Sequence, residues 1–87
     1  MYIHLGNNTM IKTEDIIGIF DLDTASVSKR TRDFLNKAEK SGIVITTSFE
    51  LPKSFVVTKN KKSGKKIYLS QLSSGTLLKR TGYIDSL

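Results

Sequence analysis

Short apolar runs separated by polar breaks make up most of the chain. Residues 2–5 alternate between apolar and polar side chains and end at Gly6-Asn7-Asn8, which is typical of a hairpin turn. Thr9–Lys12 is then predicted as the returning strand. After a polar break, residues 16–20 are apolar, mostly β-branched and followed by Asp21, which predicts a buried strand.

Helical periodicity follows. Apolar or small side chains recur at one stripe of an amphipathic helix, at Val27, Thr31, Phe34, Leu35 and Ala38. Thr24 or Ser26 can cap the start of this helix. Gly42 can take the left-handed conformation just after its end.

The second half of the chain predicts three more strands. Residues 43–47 are rich in β-branched side chains, and Pro52 closes the loop that follows them, because proline cannot donate to a central ladder. Residues 54–59 and 66–70 then form a hairpin around a lysine-rich turn.

A short C-terminal helix over residues 76–80 completes the pattern. Ser73 or Ser74 can cap it, and Gly82 stops it. The predicted order is β-β-β-α-β-β-β-α. We therefore expect a small α/β (α+β) domain covering residues 1–87, with a mainly antiparallel sheet, one main helix and a short C-terminal helix.

The strands carry apolar side chains on both faces. Phe55-Val56-Val57 and Ile16-Ile17 point alternately to opposite sides of the sheet. One helix and a short tail should cover only one face well, so the other face, or an exposed edge, is a candidate subunit interface. We expect a homo-oligomer of closed symmetry, because open head-to-tail contacts make filaments.

Composition narrows the function. The chain of 87 residues has no cysteine, which excludes disulfides and thiolate zinc sites. It has no apolar run of the roughly 20 residues that a membrane-spanning helix needs, and it begins without a basic leader before an apolar core. We expect a cytoplasmic protein without contact to a membrane.

The inventory of reactive side chains argues against an enzyme. The single histidine, His4, lies in a predicted strand with no obvious serine partner, and an edge-strand role explains it better. Asp21 and Asp23 lack the glycine and glutamate of a calcium loop, and strand termination explains them better. No phosphate-binding glycine loop is present. We expect no catalysis, no cofactor, no metal site and no small-molecule substrate.

The charge distribution is strongly asymmetric. Residues 1–50 carry six Lys or Arg against seven Asp or Glu, whereas residues 51–87 carry eight basic residues against one acid, Asp85. Such asymmetry favours a polyanionic partner. The alternative is a soluble surface that is rich in lysine and has no binding role.

Five lysines crowd around the predicted second hairpin, at Lys59, Lys61, Lys62, Lys65 and Lys66. Ammonium groups at a turn can follow phosphates without reading bases, and Lys79 and Arg80 add to this charge, as does a basic helix face at residues 29–32. The alternative is a solvated turn that lysine protects from edge-to-edge aggregation. Aromatic residues are sparse here, which favours duplex DNA over a single strand.

Several motifs resemble the bacterial extracellular matrix regulatory proteins, with the match closest to their B type and spanning nearly the whole chain. They are Met1-Tyr2-Ile3-His4-Leu5-Gly6, Ile16-Ile17-Gly18-Ile19-Phe20-Asp21, Pro52-Lys53-Ser54-Phe55-Val56-Val57-Thr58, Ile67-Tyr68-Leu69-Ser70, Leu72-Ser73-Ser74 and Thr76-Leu77. The resemblance implies a small bacterial regulator that promotes the expression of extracellular matrix, or biofilm, genes.

This family also has an A type, which resembles a DNA-binding protein that assembles into rings and contacts DNA through arginines. The resemblance therefore implies DNA binding by this chain as well. This chain departs from that pattern, because Glu50-Leu51-Pro52 stands where the A type has an arginine-rich run, and Asp15 stands where it has an arginine. Near these positions, only Lys53 carries a positive charge as the A type does. The expected DNA-binding residues are therefore Lys53, Lys59, Lys61, Lys62, Lys65, Lys66, Lys79 and Arg80.

Two functions of different classes remain open at this point. One is an oligomeric, sequence-tolerant DNA-binding transcriptional regulator. The other is an oligomeric adaptor that binds a partner protein through its uncovered sheet. Salt separates them, since phosphate binding weakens steeply with ionic strength and an apolar interface does not.

Overall fold

The computed structural model describes residues 1–6, 8–22, 28–48 and 50–82. Within these residues, six strands and two helices follow in the predicted order: β1 (Tyr2–Gly6), β2 (Thr9–Lys12), β3 (Ile16–Asp21), α1 (Lys29–Lys40), β4 (Val44–Thr46), β5 (Ser54–Asn60), β6 (Gly64–Ser70) and α2 (Ser74–Thr81). A single 3₁₀ turn, Thr13–Asp15, occupies the polar break between β2 and β3. The α/β class and the element order are confirmed.

The strands form two sheets. A four-stranded sheet has the order β3-β5-β6-β4, in which β5 runs antiparallel to both of its neighbours and β4 runs parallel to β6. The strands β1 and β2 pair only with each other, as an antiparallel N-terminal hairpin. Most of the pairing is therefore antiparallel, as the pattern predicts.

The N-terminal hairpin and α2 cover one face of the four-stranded sheet, called here the hairpin-covered face. Its core consists of Ile3, Leu5, Ile11, Val56 and Leu77, all buried. The helix α1 covers the opposite face, called the helix-covered face. Its core consists of Ala38, Phe55, Val57 and Ile67. The prediction that one sheet face stays uncovered is wrong, because the first hairpin folds over the sheet instead of extending it.

Buried hydroxyl groups fix the N-terminal hairpin in this position. Ser70 donates to the carbonyl oxygen of Leu5 at 2.7 Å, and Thr47 donates to the same oxygen at 3.3 Å. Ser54 donates to the carbonyl oxygen of Leu72 at 2.7 Å, beside the start of α2. These bonds satisfy carbonyl groups that would otherwise be buried without a donor.

Residues 16–20 form the predicted strand, but the prediction that this strand is buried is wrong. The strand β3 lies at the edge of the sheet and pairs only with β5, with a register shift between Ile16 and Gly18. Ile17 is 62% exposed and Phe20 is 44% exposed. An edge strand has no neighbour on one side, so its apolar run does not imply burial.

The helix boundaries follow from local signals. The helix α1 begins after Ser28 and ends before Gly42, which has φ +74° as expected. Ser73 caps α2 by accepting from the backbone N–H of Thr76, and Gly82 ends it with φ +84°. The predicted caps of α1, Thr24 and Ser26, lie outside the described residues, as does Val27 of its apolar stripe. No helix in the described part of the chain is long and apolar enough to cross a bilayer.

Candidate nucleic-acid interface

The turn between β5 and β6 is compact and internally bonded. Both strands extend further than predicted, so the turn consists of only three residues, Lys61, Lys62 and Ser63. The side chain of Asn60 accepts from the backbone N–H groups of Lys62 at 2.7 Å and Ser63 at 3.4 Å. Gly64 closes the turn with φ +72°, a conformation that glycine adopts without strain. The backbone that carries the lysines is therefore well defined.

Five lysines surround this turn and form what is called here the lysine tip: Lys59, Lys61, Lys62, Lys65 and Lys66. All are exposed except Lys66, which is half-buried. Lys59 lies directly opposite Lys65 across the ladder, on the helix-covered side, and Lys66 lies opposite Thr58 on the other side. Within the described part of the chain, none of the five forms an ion pair. The tip is therefore a concentration of positive charge.

Lys65 differs from the other lysines of the tip. Its ammonium group lies 4.8 Å from the ring centroid of Phe34 in α1. Cations over an aromatic face are attracted by the ring quadrupole. Lys65 therefore helps to hold α1 against the sheet, and the turn lysines are the freest to meet an external anion.

An acidic residue lies at the base of the tip. The amide of Asn60 donates to the carboxylate of Asp15 at 3.0 Å, which links the tip to the 3₁₀ turn before β3. The carboxylate therefore limits the positive potential to the outer residues of the tip.

The remaining expected DNA-binding residues lie elsewhere. Lys53 is exposed immediately before β5, at the opposite end of a seven-residue strand from the tip, which is about 20 Å at 3.3 Å per residue. Lys79 is exposed on α2. Arg80 donates to the carbonyl oxygen of His4 at 2.9 Å and so fastens α2 to β1. The structure thus brings five of the eight residues together and leaves three apart.

The pattern of the sequence did not predict a groove on the helix-covered face. The groove has a volume of about 360 Å³ and is lined by Ile17, Phe20, Arg30, Thr31, Phe34, Phe55, Val57 and Lys65. Its floor is aromatic, with Phe20 stacked on Phe55 at 5.0 Å between ring centroids. Two cations, Arg30 and Lys65, stand at its rim.

One local signal for this groove was present in the sequence. Gly18 interrupts the β-branched run, and glycine inside a strand often marks a bulge or a close approach. A Cβ atom at Gly18 would lie 2.7 Å from the ring of Phe20. Glycine therefore allows that ring to lie across β3 and form part of the groove floor.

Two observations concern the titratable groups of the described residues. Within the described residues, no three His, Cys, Asp or Glu side chains gather where they could hold a metal ion. The clearest shift belongs to Glu14, whose pKa is lowered to about 2 by a hydrogen bond from the Met1 amino group and a second from Thr13. This carboxylate is exposed and holds the N-terminus to the 3₁₀ turn.

Comparisons with known proteins identify the family of this chain. Residues 2–81 match the family model described as extracellular matrix regulatory protein A-like. The chain is also 42% identical, over 84 residues, to extracellular matrix regulatory protein B of Bacillus subtilis (strain 168), an alignment that covers 97% of this chain and 94% of that protein. The chain belongs to the extracellular matrix regulatory protein A-like family, a family of bacterial regulators of the extracellular matrix.

Proposed function

We propose that this protein is a cytoplasmic, DNA-binding transcriptional activator of extracellular matrix genes, and that it acts as a homo-oligomer. In this proposal the lysine tip contacts the phosphate backbone of duplex DNA. The observation that supports it most is the set of five lysines around one hydrogen-bonded turn, without an acidic ion-pair partner among the described residues.

The geometry of the tip favours backbone contacts over base reading. Lysine is a point charge on a flexible stem, whereas recognition of base edges commonly uses bidentate side chains such as arginine. The turn lysines, Lys61 and Lys62, are exposed and extend from a defined backbone. Such contacts position a duplex and do not select a sequence.

Oligomerisation would make this weak contact useful. A single tip can neutralise only a few phosphates, but several tips on one assembly bind the same duplex with a high effective concentration. Each phosphate neutralised contributes about −0.9 to the slope of log affinity against log salt. An assembly therefore has a steeper salt dependence than one chain.

The test is a gel-shift titration on random duplex DNA at two salt concentrations. We compare the wild type with the triple variant Lys59→Gln, Lys61→Gln, Lys62→Gln, which spares Lys65 because of its contact with Phe34. We expect the triple variant to bind every sequence more weakly and to have a smaller salt slope. An unchanged affinity and slope would refute the role of the tip.

A control variant with the same loss of charge is available on α1. Lys29→Gln, Lys37→Gln, Lys40→Gln removes three exposed lysines from the helix. We expect it to retain most of the wild-type affinity and slope. An equal loss in both variants would mean that net charge, not the tip, drives binding.

The groove on the helix-covered face favours a second function, an adaptor that binds a partner protein. Its floor is apolar and aromatic, and protein partners bury such surfaces. Binding of this kind would respond little to salt. A wild-type protein that shows no affinity for DNA at low salt would favour this alternative.

A further inference from the structure

We infer that a pocket between the N-terminal hairpin and the lysine tip binds a guanine nucleotide, with the base inside the pocket and the phosphate on lysines beside it. The pocket has a volume of about 160 Å³ and shares no lining residue with the groove on the helix-covered face. Pockets that enclose a drug-sized ligand measure roughly 300–1,000 Å³, so this one holds a single ring system and leaves the rest of the ligand outside. The inference does not depend on the proposed binding of duplex DNA.

Three separate parts of the chain form the pocket. The N-terminal hairpin contributes Tyr2 and Lys12, the 3₁₀ turn contributes Asp15, and the hairpin of β5 and β6 contributes Ser63 and Tyr68. In the sequence, Tyr68 is the only aromatic residue near the lysines of the tip, which argues against stacking of a base. The fold brings Tyr2 to the same pocket and so supplies a second ring.

The two tyrosines supply aromatic surface for a base. Tyr68 is half-buried and packs against the core of the hairpin-covered face, so its ring is a fixed wall. Tyr2 is 55% exposed, and the ammonium group of Lys12 lies 6.0 Å from its ring centroid. Aromatic side chains stack on any base, because every base has a π face. The tyrosines therefore select a planar ring, and polar groups must select which one.

The carboxylate of Asp15 is held in position at the pocket. The amide of Asn60 donates to its Oδ2 atom at 3.0 Å. The amide oxygen of Asn60 accepts from the backbone N–H groups of Lys62 and Ser63, which fixes the orientation of that amide. A carboxylate has about four lone-pair sites on its two oxygens, so the bond from Asn60 leaves it able to accept from a ligand.

Guanine matches this carboxylate better than the other bases do. Its Watson–Crick edge presents two adjacent N–H donors, on N1 and N2, which fit the two oxygens of a carboxylate. Adenine and cytosine present an amino group beside a ring nitrogen that is itself an acceptor. Thymine and uracil present one N–H between two carbonyl groups. A site whose polar groups pair with the donors of one ligand strongly rejects an analogue that lacks them.

Positive charge lies beside the pocket. Lys12 lines it, and Lys62 immediately precedes Ser63 of the lining. Both lysines are exposed, and neither forms an ion pair within the described residues. The carboxylate of Asp15 disfavours a phosphate inside the pocket, whereas the lysines favour one outside it. The charges therefore fix the direction in which a nucleotide enters.

Two sources can supply this ligand: a free nucleotide and an unpaired guanine in a nucleic-acid strand. A guanine in duplex DNA does not fit, because its Watson–Crick edge is already paired. Duplex binding by the lysine tip and nucleotide binding by the pocket are thus separate activities of neighbouring surfaces.

The first experiment is an NMR titration of the full chain with two matched pairs of probes. One pair is guanosine monophosphate and adenosine monophosphate, and the other is a single-stranded thymine oligomer that contains one guanine or one adenine. We expect the guanine member to bind at least about tenfold more tightly and to shift the backbone amides of Asp15, Asn60 and Tyr68. The pair that shows this preference identifies the source. A lack of preference in both pairs, whether or not inorganic phosphate binds, would overturn the inference.

The variant Asp15→Asn tests the carboxylate. It keeps an oxygen for the amide of Asn60 but replaces the other oxygen by a donor that faces the donors of guanine. We expect the affinity for the guanine probe to fall at least about tenfold and the preference over adenine to disappear. Asp33→Asn, at an exposed position of α1, removes the same charge and should change neither. Asp15→Asn that keeps the guanine preference would contradict the assignment, since a merely structural role would not change which base is preferred.

Two variants of Tyr2 test the stacking. Tyr2→Ala should weaken binding of both bases at least about fivefold, because base stacking on an aromatic ring is lost. Tyr2→Phe keeps the ring and should retain most of the affinity. The residue is largely exposed, so both variants should fold, which circular dichroism can check. Wild-type affinity in Tyr2→Ala would show that the base does not lie in this pocket.

A gel shift on duplex DNA separates this inference from the proposed function. We expect Asp15→Asn to bind duplex DNA as well as the wild type or slightly better, because the substitution removes a negative charge at the base of the tip. The lysine-tip variant should lose duplex affinity and still prefer guanine to adenine. If guanine binding fails while the tip variant loses duplex affinity, only the pocket is wrong. If guanine binding holds while the tip variant keeps its duplex affinity, only the tip is wrong.

Discussion

The two faces of the four-stranded sheet are built by different interactions. On the hairpin-covered face, Leu5, Val56 and Leu77 are fully buried, and hydroxyl groups such as that of Ser70 tie the covering hairpin down by hydrogen bonds. On the helix-covered face, α1 rests on aromatic contacts, with Phe34 tilted against Phe55 at 6.5 Å. The hairpin-covered face is closed and is held by directional hydrogen bonds. The helix-covered face is open along β3.

This difference indicates that the two faces contribute unequally to the stability of the fold. Directional bonds to buried carbonyl groups tolerate little displacement, so the hairpin-covered face should supply most of the stability. Aromatic stacking and a cation over a ring tolerate rearrangement at smaller cost. The helix-covered face should therefore rearrange at smaller cost than the hairpin-covered face.

Adjacent valines of β5 provide the strongest test of this comparison. Val56 faces the hairpin side with no exposure, and Val57 faces the helix side beside the groove with 6% exposure. We expect Val56→Ala to lower the free energy of unfolding by about 2–3 kcal/mol, because it leaves an enclosed cavity. Val57→Ala should cost about 1 kcal/mol less, because the groove lets neighbours or water relax into the space.

Urea unfolding of the two variants at one protein concentration measures these values. The substitutions share a strand and a residue type, so their effects on strand propensity largely cancel. Equal losses of stability would show that the two faces are equally closed.

The buried hydroxyl groups give the next largest effect. Ser70→Ala removes a 2.7 Å hydrogen bond to the carbonyl oxygen of Leu5 and an acceptor for the backbone N–H of Leu72 at 3.1 Å. We expect a loss of about 1–2 kcal/mol in unfolding free energy, since Thr47 still donates to Leu5. Thr46→Ala, at an exposed position of β4, is the control and should stay within about 0.5 kcal/mol.

Protection of the N-terminal hairpin in hydrogen exchange gives a second measurement for Ser70→Ala. We expect the substitution to increase the exchange rate in β1 and β2 more than in α1, because the lost bond joins the hairpin to the sheet. A uniform change across the molecule would contradict the anchoring role of Ser70.

The element order could be predicted because it depends on local patterns. Periodicity and caps lie within a few residues of each other, as with Ser73 and Gly82 around α2. The lysine tip was equally local, since its residues are close in sequence. The placement of the N-terminal hairpin was not, because it depends on a bond between Ser70 and Leu5, which are 65 positions apart.

The edge position of β3 and the groove also depend on long-range pairing. An apolar β-branched run looks the same on an edge strand as on a central one, so residues 16–20 were wrongly predicted as buried. The register shift after Ile16, which places Ile17 at the groove, arises from pairing with β5. Likewise, no local pattern could show that Arg80 bonds to His4 instead of joining the tip.

Lys65 offers a smaller test on the helix-covered face. Lys65→Gln removes the cation 4.8 Å from the Phe34 ring, and we expect a loss of about 0.5–1 kcal/mol in unfolding free energy. Lys59→Gln, directly opposite on the ladder and exposed, is the control with the same loss of charge. If both variants are equally stable, the contact with Phe34 does not help to hold α1, and Lys65 is as free as its neighbours in the tip.

The smallest expected effect is a pH dependence at the edge of the hairpin-covered side. The hydrogen bond from the Met1 amino group lowers the pKa of Glu14 from 4.5 to about 2, with help from the Thr13 hydroxyl. A lowered folded-state pKa means that the contribution to stability is present above pH 4.5 and is lost as the pH falls toward 2. Glu14→Gln should therefore be slightly less stable than the wild type above pH 4.5, and the two should converge near pH 2. Solvent screens this exposed pair, so the difference should be small and should shrink further in salt. An NMR titration of the Glu14 carboxyl group measures the shift directly, and an ordinary midpoint there would show that the N-terminus is not held to the 3₁₀ turn.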